Sequence, residues 1–121
     1  MKISHSWNFG DNIELTKKLA TLVLSGKKIA TTSLYYPGKK IPKAGELGEI
    51  IDSNNKQVCV IEYTKVEAKP FLEVNMDFIK KEGEGDESVN EWRKKHRKFF
   101  NTKEDSIKVV CEEFKVINYN K

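Results

Sequence analysis

Proline and glycine are scarce: 3 and 7 of 121 residues, which excludes a collagen-like repeat and a low-complexity chain. Apolar runs extend only a few residues, so no stretch could form a membrane-spanning helix. The opening Met1-Lys2-Ile3-Ser4-His5-Ser6-Trp7 lacks the apolar segment of a secretory leader, and a cytoplasmic protein is expected. Only two cysteines occur, Cys59 and Cys111, far apart inside apolar, strand-like runs. They read as small buried hydrophobes of a reduced protein, not as a disulfide or a metal pair. His5 and His96 are the only histidines, which leaves no zinc set; neither metal nor cofactor is expected. A phosphate-binding G-x-x-x-x-G-K-[ST] loop is missing, because Gly10 lies too far from Lys27 and Lys28. An EF-hand starting at Glu82 also fails. Its sixth position is Glu87 where glycine is needed, and its twelfth is Arg93 where glutamate is needed.

What is present is a chain of one-domain size, 1–121, able to bury roughly two thirds of its unfolded surface. Hydrophobic residues make up 38% and charged residues 33%, with a net charge of +4. That mild excess is compatible with a nucleic-acid partner without requiring one.

Ile13, Leu15, Leu19, Leu22 and Val23 recur at helical spacing and predict a helix over Asn12–Ser25, with Asp11 or Asn12 as cap and Gly26 closing it. Ahead of it, Trp7-Asn8-Phe9-Gly10 is too short for an element and reads as an aromatic lid on the core. A strand is predicted from Ala30 to the Pro37-Gly38 break, and a second over Leu47–Asp52. After the Ser53-Asn54-Asn55-Lys56 turn, the strand returns over Gln57–Tyr63 and continues past a bend to Pro70. Short helices at 71–74 and 77–81, a loop at 82–86 and a helix over Ser88–Phe100 capped near Asp86 or Glu87 come next. Ile107–Cys111 and Phe114–Ile117 form a closing strand or strand pair, with Asn118–Lys121 fraying. This order lacks alternating βαβ units. An α+β fold follows: a small, mostly antiparallel sheet with flanking helices, short and apolar enough to curl into a barrel.

Three segments could carry chemistry. In Gly26-Lys27-Lys28-Ile29-Ala30-Thr31-Thr32-Ser33, Lys28 at the strand entrance can approach Thr31. A partly desolvated lysine beside a hydroxyl can act as base, or hold a phosphate or carbonyl as a point charge. In Glu82-Gly83-Glu84-Gly85-Asp86, an extended chain would point three carboxylates to one side. Crowding raises at least one pKa, which suits an acid; a nearby lysine opposes that shift. In Trp92-Arg93-Lys94-Lys95-His96-Arg97-Lys98-Phe99-Phe100, cations coat a helix whose other face is aromatic, a surface able to meet a phosphate backbone or simply to solubilise the helix.

Taken together in this order, the G-K-K-x-x-T-T-S stretch at 26–33, the E-G-E-G-D-x-S stretch at 82–88 and the W-R-x-x-H stretch at 92–96 resemble the ASCH domain family of the PUA-like superfamily. Pro42-Lys43-Ala44-Gly45-Glu46, Val60–Val66 and Val110–Phe114 extend the resemblance over nearly the whole chain. It implies a small PUA-like β-barrel with helices around it, a cleft at one mouth, and RNA-linked roles. Some bacterial members are ribonucleases; others hydrolyse the amide of N4-acetylcytidine. In the hydrolase branch the functional residues are a lysine, a threonine three positions later and a glutamate from the loop before the late helix. These correspond to Lys28, Thr31 and Glu84, with Glu82 the second choice for the glutamate. For a hydrolase built this way, a base would stack on Trp7, Phe9 or Tyr35, Lys28 would act as base or clamp, Thr31 as nucleophile or water-positioning group, and Glu84 would shuttle the proton to the leaving amine, with Arg93 and His96 orienting the loop or binding phosphate. Ser33, Glu82 and Asp86 complete the substrate- or RNA-binding set. The partner implied is RNA or a modified nucleoside, bound by a monomer or weak dimer; the rival is an RNA-binding module without catalysis. Two departures stand out. Ser33 occupies the place where the small hydrolases carry arginine, and the Trp-Arg-x-x-His helix belongs to a different branch.

Overall fold

The computed structural model describes residues 2–8 and 13–119. The elements are β1 (Ile3–Trp7), α1 (Ile13–Leu24), β2 (Ala30–Leu34), β3 (Leu47–Ile51), β4 (Gln57–Pro70), a 3-10 turn (Phe71–Glu73), α2 (Met76–Glu82), α3 (Val89–Phe99) and β5 (Lys108–Tyr119). They build an α+β molecule around one five-stranded sheet of order β1-β3-β4-β5-β2, antiparallel at every pairing except β1 with β3.

Register shifts between Val60 and Ile61 and between Tyr63 and Lys65 bend the long β4–β5 ribbon. The edge strands β1 and β2 do not pair with each other, yet both line one cleft, so the sheet wraps round it in a barrel-like curl without closing. Along β5, alternation sends Val109 and Cys111 to one face and Phe114 and Val116 to the other. Each face therefore has its own core. Leu19 and Val23 of α1 pack with Ile50, Ile61, Tyr63 and Phe114; α2 and α3 bring Phe78, Ile79 and Trp92 onto Phe71, Val109 and Cys111. Burial pushes the thiols of Cys59 and Cys111 up to about 11 and about 12, so both remain protonated core residues.

Several local expectations are corrected. Ile3–Trp7, for which no element was expected, form strand β1, so Trp7 of the expected 7–10 lid is its last residue; β1 pairs in parallel with β3 and is pinned by His5 to Glu46 and Ser6 to Glu49, each at 3.1 Å. The candidate caps Asp11 and Asn12 lie outside the described residues, as do Phe9 and Gly10. Thr16, not Leu15, joins the buried stripe of α1. Gly26 does close that helix, with φ 80°. Helix α2 is longer than expected at both ends, because Asn75 caps it by accepting a bond from the Phe78 N–H and Glu82 still belongs to it. Helix α3 is capped by Ser88, which accepts from the Glu91 N–H, in place of Asp86 or Glu87. Asn118 and Tyr119, expected to fray, remain in β5 opposite Val60 and Cys59.

Candidate active site

The cleft has a volume of about 940 Å³ and is lined from β1, β2, β4, β5, α1, α3 and the end of α2. Its central cation is Lys28, only 1% exposed. The ammonium donates to the Ala30 carbonyl at 2.8 Å, to Glu84 Oε2 at 2.8 Å and, more weakly, to the Glu82 carbonyl at 3.4 Å. A buried lysine remains charged only with such partners.

Glycine geometry brings the two halves of this pair together. Gly83 ends α2 with φ 68°, and a Cβ there would stand 2.0 Å from the Lys27 carbonyl oxygen. Only glycine allows that approach. The Ile29 N–H donates to the Lys81 carbonyl at 2.9 Å, which fastens the entrance of β2 to the end of α2. Gly85, with φ 88°, turns the chain again. The segment 82–86 is thus not extended, and its carboxylates diverge. Glu82 points into the core, Glu84 faces Lys28, and Asp86 meets Lys95 at 2.6 Å.

Glu82 is 1% exposed and both its oxygens are taken. Oε2 accepts from Thr32 Oγ1 at 3.0 Å, and Oε1 accepts from the Trp92 indole N–H. Trp92 stacks on His96 with ring centroids 4.1 Å apart. The His96 Nδ1 lies 3.0 Å from the Trp92 carbonyl, which can only accept; Nδ1 therefore carries the proton. Burial pushes the imidazole below its ordinary value, against the pull of Glu82, so neutral Nε2 faces Glu82 Oε2 at 3.9 Å without forming an ion pair.

Glu84 does not behave as crowding alone would predict. Burial pushes its carboxyl up, but Lys28, then Lys95 and His96, outweigh burial and hold it below the usual carboxylate range. It rests as a carboxylate between Lys28 and Lys95, the latter 3.5 Å from Oε1.

Thr31 lines the cleft and its hydroxyl makes no hydrogen bond among the described residues. Trp7 and Ser33 also line it, with the Trp7 indole donating to the Tyr63 hydroxyl at 3.0 Å. Tyr35 does not; its neighbour Tyr36 does, 56% exposed at the rim. Asp86 and Arg93 are likewise outside the lining, and Arg93 donates instead to the Leu72 carbonyl at 2.9 Å. Phe9 lies outside the described residues.

Sequence reasoning missed a second polar group in the cleft. Glu112 of β5, 8% exposed, accepts from Ser33 Oγ at 3.3 Å, and Lys39 donates to the same Ser33 oxygen at 2.8 Å. Burial pushes the Glu112 carboxyl up; Ser33, Lys39 and His5 only partly offset this. A signal existed: Val110, Glu112, Phe114 and Val116 alternate along one face, and one glutamate interrupts an otherwise apolar series.

Among the described residues no helix is long and apolar enough to cross a membrane, and no group of three or more His, Cys, Asp or Glu could hold a metal ion.

A family model described as the ASCH domain matches residues 5–118. Among solved structures, the ASCH domain from Lactobacillus crispatus JV V101 has a TM-score of 0.84 at 32% identity, covering 96% of this chain and 81% of that chain. A protein from Enterococcus faecalis V583 has a TM-score of 0.84 at 29% identity, covering 100% of this chain and 84% of that chain. A mutant ASCH protein from Zymomonas mobilis has a TM-score of 0.58 at 14% identity over 84% of this chain and 70% of that one, a likeness of fold alone. No match is found among curated proteins.

Proposed function

Because the chain belongs to the ASCH domain family, with its PUA-like α+β fold, we propose that it is an RNA- or nucleoside-directed hydrolase that opens the amide of an acylated cytidine. The observation that carries the reading is the ion pair of buried Lys28 with half-buried Glu84 at 2.8 Å, in a cleft also lined by the Thr31 hydroxyl, which makes no hydrogen bond among the described residues.

In the structure Lys28 Nζ donates to three acceptors, so it does not yet offer a lone pair to Thr31. Substrate filling the cleft displaces water around the pair, which narrows the gap between the ionic and the neutral arrangement. The proton then passes to Glu84, and the neutral amine takes the Thr31 proton as the hydroxyl attacks the acyl carbon. The ring of the base stacks on Trp7. Where the small hydrolases carry arginine this chain has Ser33, but Lys39 reaches Ser33 Oγ at 2.8 Å, so a cation still stands there. Strand scission is a poorer fit for this cleft, because His96 is stacked under Trp92 with Nδ1 committed to a carbonyl. We place the protein in the cytoplasm, as a monomer or weak dimer.

A second reading, an RNA-binding module without catalysis, is favoured by the rim. Tyr36 and Phe99, 56% and 64% exposed, flank the cleft beside Lys39, Lys40 and Lys95, a combination suited to stacked bases and phosphates. The deciding assay incubates wild type, Lys28→Ala and Glu84→Ala with N4-acetylcytidine and with labelled RNA. Turnover of acetylcytidine by wild type, lost in both variants, supports the hydrolase. RNA binding that weakens steeply with salt, without turnover, selects the binding module.

A further inference from the structure

The cleft holds three carboxylates, and their oxygens are not equally engaged. Glu82 has both occupied, by Thr32 and Trp92, and Glu84 has both occupied, by Lys28 and Lys95. Glu112 accepts from Ser33 through Oε2 alone; Oε1 takes no hydrogen bond among the described residues. In the antiparallel β2–β5 ladder, Glu112 stands directly opposite Thr31. Directly paired side chains share a face, with Cβ atoms about 4.5–5.5 Å apart. Both residues line the cleft.

We propose that Glu112 is the acid that protonates the leaving amine when Thr31 opens the acyl–nitrogen bond and, once ionised, the base that activates water to release the acyl group. The assignment rests on the hydrolase reading and gives to Glu112 the proton delivery to the leaving amine that the Lys28, Thr31 and Glu84 set alone would ask of Glu84. In the first half, Thr31 Oγ1 bonds to the acyl carbon and its proton goes to Lys28. The carbon–nitrogen bond breaks with its electron pair on nitrogen, which takes the Glu112 proton. In the second half, water attacks the Thr31 ester and gives a proton to Glu112. The carbon–oxygen bond then breaks, Thr31 recovers the proton held by Lys28, and Glu84 hands back the proton it took from Lys28 before the attack, restoring the resting pair.

The surroundings agree with this division. Glu84 is held down by its cations, whereas burial pushes Glu112 up. Carboxyls driven apart by their environments are the usual acid and base assignments of a site. The groups facing Glu112 are Ser33 in β2 and Lys39 in the loop beyond it, His5 in β1 and Tyr63 in β4, whose hydroxyl burial keeps neutral.

The test compares N4-acetylcytidine with p-nitrophenyl acetate, whose leaving group needs no proton. Glu112→Gln is expected to lower kcat/KM for N4-acetylcytidine by about 10²–10⁴-fold. The first equivalent of nitrophenolate should appear at close to the wild-type rate, followed by a stall. In Ser33→Ala, whatever its rate, the alkaline limb of the kcat/KM profile should move to higher pH, because a donor that favours the ionised carboxyl is gone. Retained acetylcytidine activity in Glu112→Gln overturns the proposal. So does equal loss of both substrates in a folded variant. If Glu112→Gln does not fold, the Ser33→Ala limb decides, and an unmoved limb overturns the assignment. An active wild type with an indifferent Glu112→Gln removes only this role for Glu112; a wild type inactive on acetylcytidine removes the hydrolase reading with it.

Discussion

Replacing Gly83 by alanine should disconnect the site from its scaffold. The residue has φ 68°, and an added Cβ would lie 2.0 Å from the Lys27 oxygen, 2.6 Å from its carbonyl carbon and 3.0 Å from the Lys28 nitrogen. A left-handed conformation costs a non-glycine residue about 1–2 kcal/mol. The clash adds about 1–3 kcal/mol, the usual penalty for an overfilled interior. The strand entrance cannot easily retreat, because the Lys27 and Lys28 N–H groups both donate to the Leu22 carbonyl at 3.0 Å and Ile29 is tied to Lys81. The sum, about 2–5 kcal/mol, is a large share of the roughly 5–15 kcal/mol that holds a domain folded. Gly26→Ala is the matched control: φ is 80° but nothing lies within 4 Å of its Cβ, so only the conformational part, about 1–2 kcal/mol, applies. Urea denaturation of both variants measures the difference. Equal stabilities for the two would refute the reasoning. In Gly83→Ala that still folds, the Glu84 carboxyl should also titrate at higher pH, because the shift moves Lys28 away.

Three further outcomes are expected. Lys28→Met removes the main partner holding the Glu84 carboxyl down, so burial should carry it up, read by carboxyl NMR titration. In wild type the folded value is depressed, so this stabilisation is present above the unfolded carboxyl pKa and lost as pH falls through the folded one; that part of the acid-unfolding limb should vanish in the variant. Glu112→Gln should gain stability over wild type as pH rises. A raised folded pKa means the carboxylate form weakens the fold above it, and the neutral amide escapes that loss; a melting-temperature gap that stays constant with pH would contradict this. Trp92→Phe leaves the buried Glu82 Oε1 without its indole donor and should lower stability by about 1–3 kcal/mol in chemical denaturation.

The parts of the fold visible in the sequence are those where a local pattern and the tertiary environment agree. The three-and-four spacing of Leu19, Leu22 and Val23 ends at Gly26, and α1 ends just before that glycine. Strand β2 opens at Ala30, just ahead of the β-branched Thr31-Thr32 pair. Strand β1 was not visible: its five residues include Ser4, His5 and Ser6, and what orders them is pairing with β3 plus contacts to Glu46 and Glu49, more than forty positions away. The site shows the same division. Lys28 and Glu84 could be named from their motifs, but their meeting depends on Gly83 packing against Lys27, a contact no local spacing encodes. Glu82 looked like a loop residue because glycines follow it. The Asn75 cap and the buried Trp92 indole instead draw it to the end of α2 and into the core. Tyr36 and Tyr35 exchanged places at the cleft because strand alternation gives way after Leu34, where β2 ends.

The central claim is that the Thr31 hydroxyl attacks an acyl group with help from Lys28. It is tested most directly by mixing the protein with N4-acetylcytidine, quenching in acid within the first turnover, and reading peptide masses. The account predicts an acetyl group on the peptide carrying Thr31, absent in Lys28→Ala and Thr31→Ala. Cytidine released at the wild-type rate by Thr31→Ala, with no acylated peptide at any time, would contradict it.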